Sequence, residues 1–228
     1  MILGIERNKI VNEIELSVEY PSELARKLRN NEIDVALMPV AAMRDIEGAR
    51  IVSNYGIAAD GKVNSVCLYS RVPLNEIHSV YLDYQSRTSV RLVQLLFEKH
   101  WKKDVSFIHA PEDFIERILA DTAGVIIGDR ALIHLSTFPY VYDLATAWKD
   151  MTGLPFVFAA WISNKELPQE FIAAFDEANA EGMQYIDEIV AQTAFPYDLK
   201  KYYSEDIHYF LDADKRKGLE LFLSMITE

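Results

Sequence analysis

Short apolar segments with the character of buried strands alternate along this chain with segments that have helical spacing. Residues 14–18 alternate as a strand should, and Pro21 opens a helix with Leu24 and Leu28 on one face before a second strand pattern at 33–39. A further block has predicted strands at 80–82, 105–108 and 124–127 and predicted helices at 87–102 and 111–119. Because helical crossovers between apolar strands are typical of parallel sheets, we predict an α/β fold.

The remaining segments predict that the chain forms two lobes. Further strands are predicted at 51–55, 63–69 and 156–161, a helix at 142–151, and two long helices without a strand pattern at 170–192 and 206–227. The apolar strands near Val66 and Val157 flank the middle block, so each is placed to carry the chain between lobes. We therefore predict a first lobe of residues 1–73 and 158–228, a second lobe of residues 74–157, and a ligand cleft that closes about this hinge.

The junction between the strand at 80–82 and the helix that follows it carries the densest group of polar side chains. Ser86, Arg87, Thr88 and Ser89 supply three hydroxyls and a guanidinium within four residues. A helix N-terminus presents unpaired N–H groups and about half a positive charge, and an arginine adds a planar fork for a carboxylate. We predict a carboxylate-binding site here. Capping of the helix by Ser86 is the structural alternative, and it accounts for only one of the hydroxyls.

Two weaker signals are consistent with a ligand near this junction. Gly128 and Asp129 follow the strand at 124–127, where backbone N–H groups and a carboxylate would face a ligand, although such turns are structural about as often. Ser65 begins the apolar strand near Val66, but an isolated strand serine is more often a residue at the edge of the core. Asp143 is interpreted as part of a helix N-cap region, where its charge is favourable beside the helix dipole.

Composition and missing motifs exclude several classes of function. The chain has 228 residues and a formal net charge of −12, and the absence of a basic stripe argues against nucleic-acid and membrane partners. The only cysteine, Cys67, lies in an apolar strand, and the five histidines lack metal-ligand spacing, so neither a disulfide framework nor a metal site is expected. There is no hydrolase elbow, phosphate loop or dinucleotide fingerprint. Without an export signal or spanning segment, we expect a cytoplasmic protein.

Several motifs, in their order along the chain, resemble the chorismate dehydratase family of menaquinone biosynthesis, which acts first in the futalosine pathway. The resemblance covers nearly the whole chain, and its strongest parts are residues 35–40, 56–66, 70–73, 86–89, 127–132 and 152–158. It implies a two-lobed fold like that of type II periplasmic binding proteins. Because such a fold serves both binding and catalysis, a non-catalytic binding protein for a small aromatic or carboxylate ligand is the alternative.

The resemblance also implies a reaction, a partner and a set of site residues. The reaction is dehydration of chorismate to 3-[(1-carboxyvinyl)oxy]benzoate by a carbon–oxygen lyase that uses neither a metal nor an organic cofactor, so the partner is a small-molecule substrate. Ser65 is the expected catalytic residue. The expected substrate-binding residues are Ser86, Arg87, Thr88, Ser89, Gly128 and Asp129.

One departure from the family concerns the beginning of the sequence. Family members start with a strand followed by a segment that supplies an asparagine to the cleft, whereas residues 1–6 here match the part just after it. An absent interior strand would leave unpaired backbone groups in the sheet of the first lobe. We expect that a neighbouring segment or a second copy of the chain, in a homodimer, fills the gap, or that the given sequence begins too late.

Overall fold

The strands and helices form a mixed α/β structure with two sheets. The computed structural model describes residues 1–19, 21–83 and 87–226. In chain order, the strands are β1 (Ala36–Pro39), β2 (Arg50–Ala59), β3 (Val66–Ser70), β4 (Ser79–Leu82), β5 (Ser106–His109), β6 (Thr122–Ile127), β7 (Tyr140–Asp143), β8 (Phe156–Ser163) and β9 (His208–Phe210).

Helices connect most of these strands. In chain order they are α1 (Ile2–Arg7), α2 (Pro21–Arg29), α3 (Arg87–Leu95), α4 (Gly128–His134), α5 (Leu144–Thr152), α6 (Gln169–Gly182), α7 (Ile186–Gln192), α8 (Leu199–Lys201) and α9 (Ala213–Met225). The turns of 3-10 helix are Lys9–Glu13, Val40–Asp45, Leu74–Glu76 and Met183–Tyr185, and π-helical turns Leu96–His100 and Tyr202–Asp206 continue α3 and α8.

The first of two compact units comprises Met1–Ala58 and Phe158–Asp212. Its four-stranded sheet has the order β1-β8-β2-β9, in which β1 is antiparallel to β8 and β9 is antiparallel to β2. Trp161 of β8 and Phe175 of α6 lie in its core, with ring centroids 4.9 Å apart, together with Ile5 and Ile10. Burial of these large side chains is the main stabilising contribution to this unit.

The second unit comprises Ala59–Val157 and Ala213–Glu228 and contains a five-stranded sheet of order β5-β4-β6-β3-β7. β4 is parallel to β5 and β6, whereas β3 is antiparallel to both β6 and β7. The carboxyl ends of β4, β6 and β7 therefore lie at the same edge of the sheet as the start of β3. We call this edge, with Ser65, Asp83, Gly128 and Asp143, the polar edge. α3, α4 and α5 all begin beside it.

The boundary between the two units differs from the predicted one. The sequence predicted a first lobe of residues 1–73 and 158–228 and a second lobe of residues 74–157. The chain passes between units at Ala58 rather than after residue 73, because β3 pairs on both sides with strands of the five-stranded sheet. The segment from Ala213 belongs with the second unit, since Phe222 of α9 packs against Trp148 and Phe156, at ring-centroid distances of 5.9 and 4.9 Å.

The α/β alternation predicted from the sequence is confirmed for β1 to β6, β8, α2 and α3, with small shifts of the ends. The strand expected at 14–18 is absent. Ile14 and Leu16 pack against the core of the first unit, but residues 15–19 have no regular secondary structure. Their alternation therefore reflects side-chain burial without a strand ladder.

Four helix predictions need correction. Residues 111–119 form successive turns with i to i+3 hydrogen bonds instead of a helix, and they bury Phe114 and Ile118. The helix expected at 142–151 starts only at Leu144, because the preceding residues pair with β3 as β7. The two long carboxyl-terminal helices are interrupted, the first by a 3-10 turn after α6 and the second by β9, which pairs with β2.

Candidate functional site

The start of β3 and the end of β6 meet at the polar edge. Val66 is paired with Ile127 in the antiparallel ladder, and the Gly128 N–H donates a 2.7 Å hydrogen bond to the carbonyl oxygen of Ser65. Ser65 is buried, whereas Gly128 is exposed. Gly128 has φ of +62°, a left-handed conformation that favours glycine, and among the described residues no atom beyond its own helix and chain neighbours lies within 4 Å of where a Cβ would stand. The structure thus brings two of the predicted site residues together beside open space.

The predicted carboxylate-binding motif lies at the first turn of α3, on the same edge. β4 runs parallel to β6, so the helix that follows β4 starts where β6 ends. Arg87 is exposed, and Thr88 and Ser89 are each 1% exposed. Ser86 lies outside the described residues. Within the described part of this motif, Arg87 is therefore the side chain that meets solvent.

Asp129 occupies the first turn of α4 and is exposed. Its carboxylate follows Gly128 directly, so it belongs to the polar edge as the sequence predicted. A carboxylate in the first turn of a helix is favoured by the helix dipole, and this position is stable without any ligand.

Asp143 has a larger role than the N-cap that the sequence indicated. Its Oδ1 accepts from the Thr146 N–H at 2.9 Å, which confirms the cap of α5. Its Oδ2 also accepts from the backbone N–H groups of Val63, at 2.9 Å, and Asn64, at 2.7 Å. One carboxylate therefore joins the start of α5 to the turn that precedes Ser65.

A second carboxylate, which sequence reasoning missed, ties two strand ends together. Asp83 follows β4 and has no exposed surface, and its Oδ2 accepts from Arg130 Nη2 at 2.6 Å. Arg130 lies in the first turn of α4, and its guanidinium carbon is 5.9 Å from the centroid of the Phe114 ring. The ion pair therefore connects the end of β4 to the residues that follow β6.

Comparison with known families identifies the family to which the chain belongs. A family model described as menaquinone biosynthesis matches residues 1–228. The chain belongs to this menaquinone biosynthesis family. One similar protein is the chorismate dehydratase of Thermus thermophilus, which is 27% identical over 226 residues, covering 89% of this chain and 83% of the relative.

Solved structures similar to this menaquinone biosynthesis protein establish its fold. A protein of Archaeoglobus fulgidus is 18% identical, with a TM-score of 0.73, covering 93% of this chain and 85% of that one. The periplasmic aliphatic sulphonate binding protein of Escherichia coli is 14% identical, with a TM-score of 0.56, covering 98% of this chain and 88% of that one. At these identities the likeness concerns the fold alone, and it confirms the predicted periplasmic-binding-protein-like α/β fold.

Cys67, the one cysteine of the sequence, lies near the polar edge and is poorly suited to act as a nucleophile. Cys67 is buried in β3, and burial raises the pKa of its thiol well above the usual value, with the Asp143 carboxylate adding to the effect. The thiol is therefore neutral at physiological pH and is a poor nucleophile. Within residues 1–19, 21–83 and 87–226, no three or more His, Cys, Asp or Glu side chains are grouped to hold a metal ion.

A surface cavity of about 330 Å³ lies next to the polar edge. Its walls include Lys62, Trp101, Tyr142, Asp143 and Asp150. It shares Asp143 with the polar edge but contains none of the predicted site residues, so we assign the candidate site to the polar edge itself.

None of the helices in the described part of the chain has the length and apolar character needed to cross a membrane.

The structure also shows what the sequence could and could not indicate about the site. Ser65, Arg87, Gly128 and the residues beside them were identified because each stands at a strand end or a helix start. The second function of Asp143 had no such signal, because it depends on the pairing of β7 with β3.

Proposed function

We propose that this protein is a chorismate dehydratase that forms 3-[(1-carboxyvinyl)oxy]benzoate. The observation that carries the proposal is the presence of Ser65, Gly128 and the exposed Arg87 at one edge of the five-stranded sheet. Support comes from membership of the menaquinone biosynthesis family and from the name of the Thermus thermophilus relative.

The substrate needs groups that recognise carboxylates, because chorismate carries two of them. Arg87 presents a guanidinium at the start of a nine-residue helix, where the helix dipole also favours negative charge. A guanidinium and a carboxylate form two parallel charge-assisted hydrogen bonds, which fix orientation as well as affinity. We assign one substrate carboxylate to the exposed side chain of Arg87 at the start of α3, and the buried hydroxyls of Thr88 and Ser89 have no assigned contact with it.

The reaction removes a proton from the ring carbon that bears the ether and hydroxide from the neighbouring carbon that bears the hydroxyl group. Together they leave as water, and the ring becomes aromatic. No electrons pass to another molecule, so the proposal assigns no redox cofactor, and it assigns no metal. The protein's task is to hold the substrate in the reacting geometry and to favour departure of the hydroxyl oxygen.

We assign proton removal to the substrate's own enolpyruvyl carboxylate and assign support of the leaving oxygen to Ser65, with Gly128 and Asp129 beside the ring. A chorismate analogue that lacks the enolpyruvyl carboxylate tests the first assignment, because normal turnover of the analogue would contradict it. Asp129→Asn tests the competing assignment of Asp129 as the base. Turnover of chorismate is expected to survive that substitution.

The direct test is incubation of the purified full chain with chorismate, followed by ultraviolet spectra and mass analysis of the product. We expect an aromatic product lighter than chorismate by one water. Saturable binding without product would contradict the proposal and favour a non-catalytic binding protein.

Ser65→Ala should lower kcat more than it raises KM if the hydroxyl acts in the transition state. Ser70→Ala is the matched control. Ser70 is buried, as Ser65 is, but it is the last residue of β3 whereas Ser65 precedes the first, and its Oγ accepts from the Val72 N–H at 3.1 Å. Equal losses of kcat in the two variants would remove the catalytic role of Ser65.

A further inference from the structure

The carboxylate of Asp143 accepts hydrogen bonds from the backbone of two separate segments. Oδ2 accepts from Val63 and Asn64, at 2.9 and 2.7 Å, and Oδ1 accepts from Thr146 at 2.9 Å. The first two donors precede Ser65 directly, and they come from residues about 80 positions away in the sequence. A carboxylate that only capped α5 would need neither of them.

The turn that Asp143 holds has an unfavourable backbone conformation. Asn64 has φ of +63°, in the left-handed region that residues other than glycine seldom adopt, and it is 4% exposed. Strained conformations of this kind persist only where the surrounding contacts hold them. The two hydrogen bonds to Asp143 are such contacts, since they fix the N–H groups on either side of the Val63 carbonyl.

The backbone N–H and carbonyl of Ser65 also make hydrogen bonds of their own. Its N–H donates to the Val63 carbonyl at 2.8 Å, and its carbonyl accepts from the Gly128 N–H at 2.7 Å. Asp143 therefore secures the residues before Ser65, and Gly128 secures Ser65 to the end of β6. A loss of either contact would allow the backbone of Ser65 to move relative to the polar edge.

We propose that Asp143 is a positioning residue, which acts on the reaction through Ser65 by holding the turn at residues 63–65. This inference rests on the proposed function for the role of Ser65. Asp143 itself has no assigned contact with substrate. Its two oxygens have separate roles, one in the cap of α5 and the other in the turn, and this separation makes the inference testable.

Asp143→Ser separates the two roles. Serine is a good N-cap residue, so its single Oγ can replace Oδ1 at the Thr146 N–H. The shorter side chain has no second oxygen for Val63 and Asn64, and two charge-assisted hydrogen bonds are lost. We expect kcat to fall roughly tenfold to a hundredfold, the range that corresponds to loss of one such bond, while KM changes by less than about twofold.

The double variant Ser65→Ala/Asp143→Ser gives a readout that a purely structural role would not produce. If Asp143 acts through Ser65, the double variant should have the same kcat as Ser65→Ala alone. If the losses of kcat in the two single variants multiply in the double variant, the inference is wrong. It is also wrong if Asp143→Ser leaves kcat unchanged.

Asp198→Ser is the matched control for replacement of a capping aspartate. Asp198 caps α8 by accepting from the Lys201 N–H at 3.0 Å, and no site residue depends on it. Its replacement should leave kcat and KM unchanged.

Amide hydrogen exchange provides a test that does not require turnover. The amides of Val63 and Asn64 should be protected in the original chain and should exchange about tenfold or more faster in Asp143→Ser, with Thr146 little changed. Unchanged exchange at Val63 and Asn64 would overturn the inference even if the protein is a dehydratase. If exchange is faster in Asp143→Ser but the original chain does not convert chorismate, the proposed function is wrong, and so is the catalytic part of the inference. The structural role of Asp143 then remains.

Discussion

Asp176 in the first unit and Asp143 in the second each accept hydrogen bonds from several donors, yet the donors differ in kind. Asp176 lies in α6 and accepts from the hydroxyl of Ser53 and from both the backbone N–H and the side-chain amide of Asn54. These donors belong to β2, which lies between β8 and β9 in the four-stranded sheet. Asp143 instead holds an irregular turn that leads to Ser65.

The comparison indicates that a partly buried carboxylate has different consequences depending on the backbone that it holds. A strand keeps its conformation through its ladder, so Asp176 mainly attaches β2 to α6 and contributes to stability. A turn with a left-handed residue has no ladder, so its conformation depends on the carboxylate. We therefore expect substitutions at the polar edge to alter catalysis, and substitutions in the β2–α6 contact to alter stability alone.

The largest effect is expected for Arg130→Ala, which removes the guanidinium that pairs with the fully buried Asp83. Breaking a buried pair costs about 3–5 kcal/mol, and the 29% exposure of the Arg130 side chain favours the lower value, about 3 kcal/mol. Because the pair connects β4 to α4 at the polar edge, turnover per folded molecule should fall as well. Urea denaturation and chorismate kinetics measure the two effects.

Arg117→Ala is the control for this variant. Arg117 pairs with Asp113 at 2.7 Å, but both side chains are more than half exposed. Such an exposed pair is screened by solvent and contributes little to stability, so the variant should be nearly as stable as the original chain. If Arg130→Ala loses no more stability than Arg117→Ala, the ion pair of Asp83 and Arg130 does not hold β4 to α4.

Asp176→Ala tests the other side of the comparison. It removes the carboxylate that accepts from the buried hydroxyl of Ser53 and from Asn54, and we expect the free energy of unfolding to fall by about 2 kcal/mol. Values of kcat and KM per folded molecule should stay unchanged. Glu177→Ala, at the exposed neighbouring position, should alter stability by less than about 0.5 kcal/mol. A fall in kcat for Asp176→Ala would break the distinction between the two carboxylates.

Arg87→Ala should show the reverse pattern, with an effect on substrate use and little on stability. Loss of a charge-assisted hydrogen bond of about 1.5 kcal/mol corresponds to a roughly tenfold rise in KM. Arg91→Ala is the control, because Arg91 is an exposed arginine one turn further along the same helix. Equal KM values for the two variants would show that the start of α3 does not bind the substrate.

Much of the fold could be predicted because local sequence patterns determine it. Apolar runs and helix starts predicted β4, β6 and α3, and the parallel order of β4 and β6 then placed Arg87 and Gly128 at one edge. Prediction from sequence is weaker where an element depends on distant partners. β9 has three residues and exists because it pairs with β2, so the local pattern predicts the start of a helix there instead.

The contacts of Asp83 and Asp143 could not be predicted either, because they too depend on partners that are distant in the sequence. Asp83 and Arg130 are 47 residues apart, and only the side-by-side arrangement of β4 and β6 brings them together. Asp143 had a local signal for its cap, but its contact with the turn before Ser65 requires that β7 pair with β3. Residues at element ends can thus be identified from sequence, whereas the groups that hold them depend on the sheet order.

The smallest expected effect comes from Gly128→Ala, and Gly153→Ala is its matched partner. Both glycines have left-handed φ angles, +62° and +75°, and in the described part of the chain neither has a non-neighbouring atom within 4 Å of where a Cβ would stand. Each substitution should therefore lower the free energy of unfolding by about 1 kcal/mol through backbone strain alone. Only Gly128 adjoins Ser65, so only its new methyl group would enter the space assigned to the substrate, and KM should rise severalfold in that variant. If both variants lose equal stability and neither changes KM, the open space beside Gly128 is not the substrate site, and the polar edge has a structural role at that point.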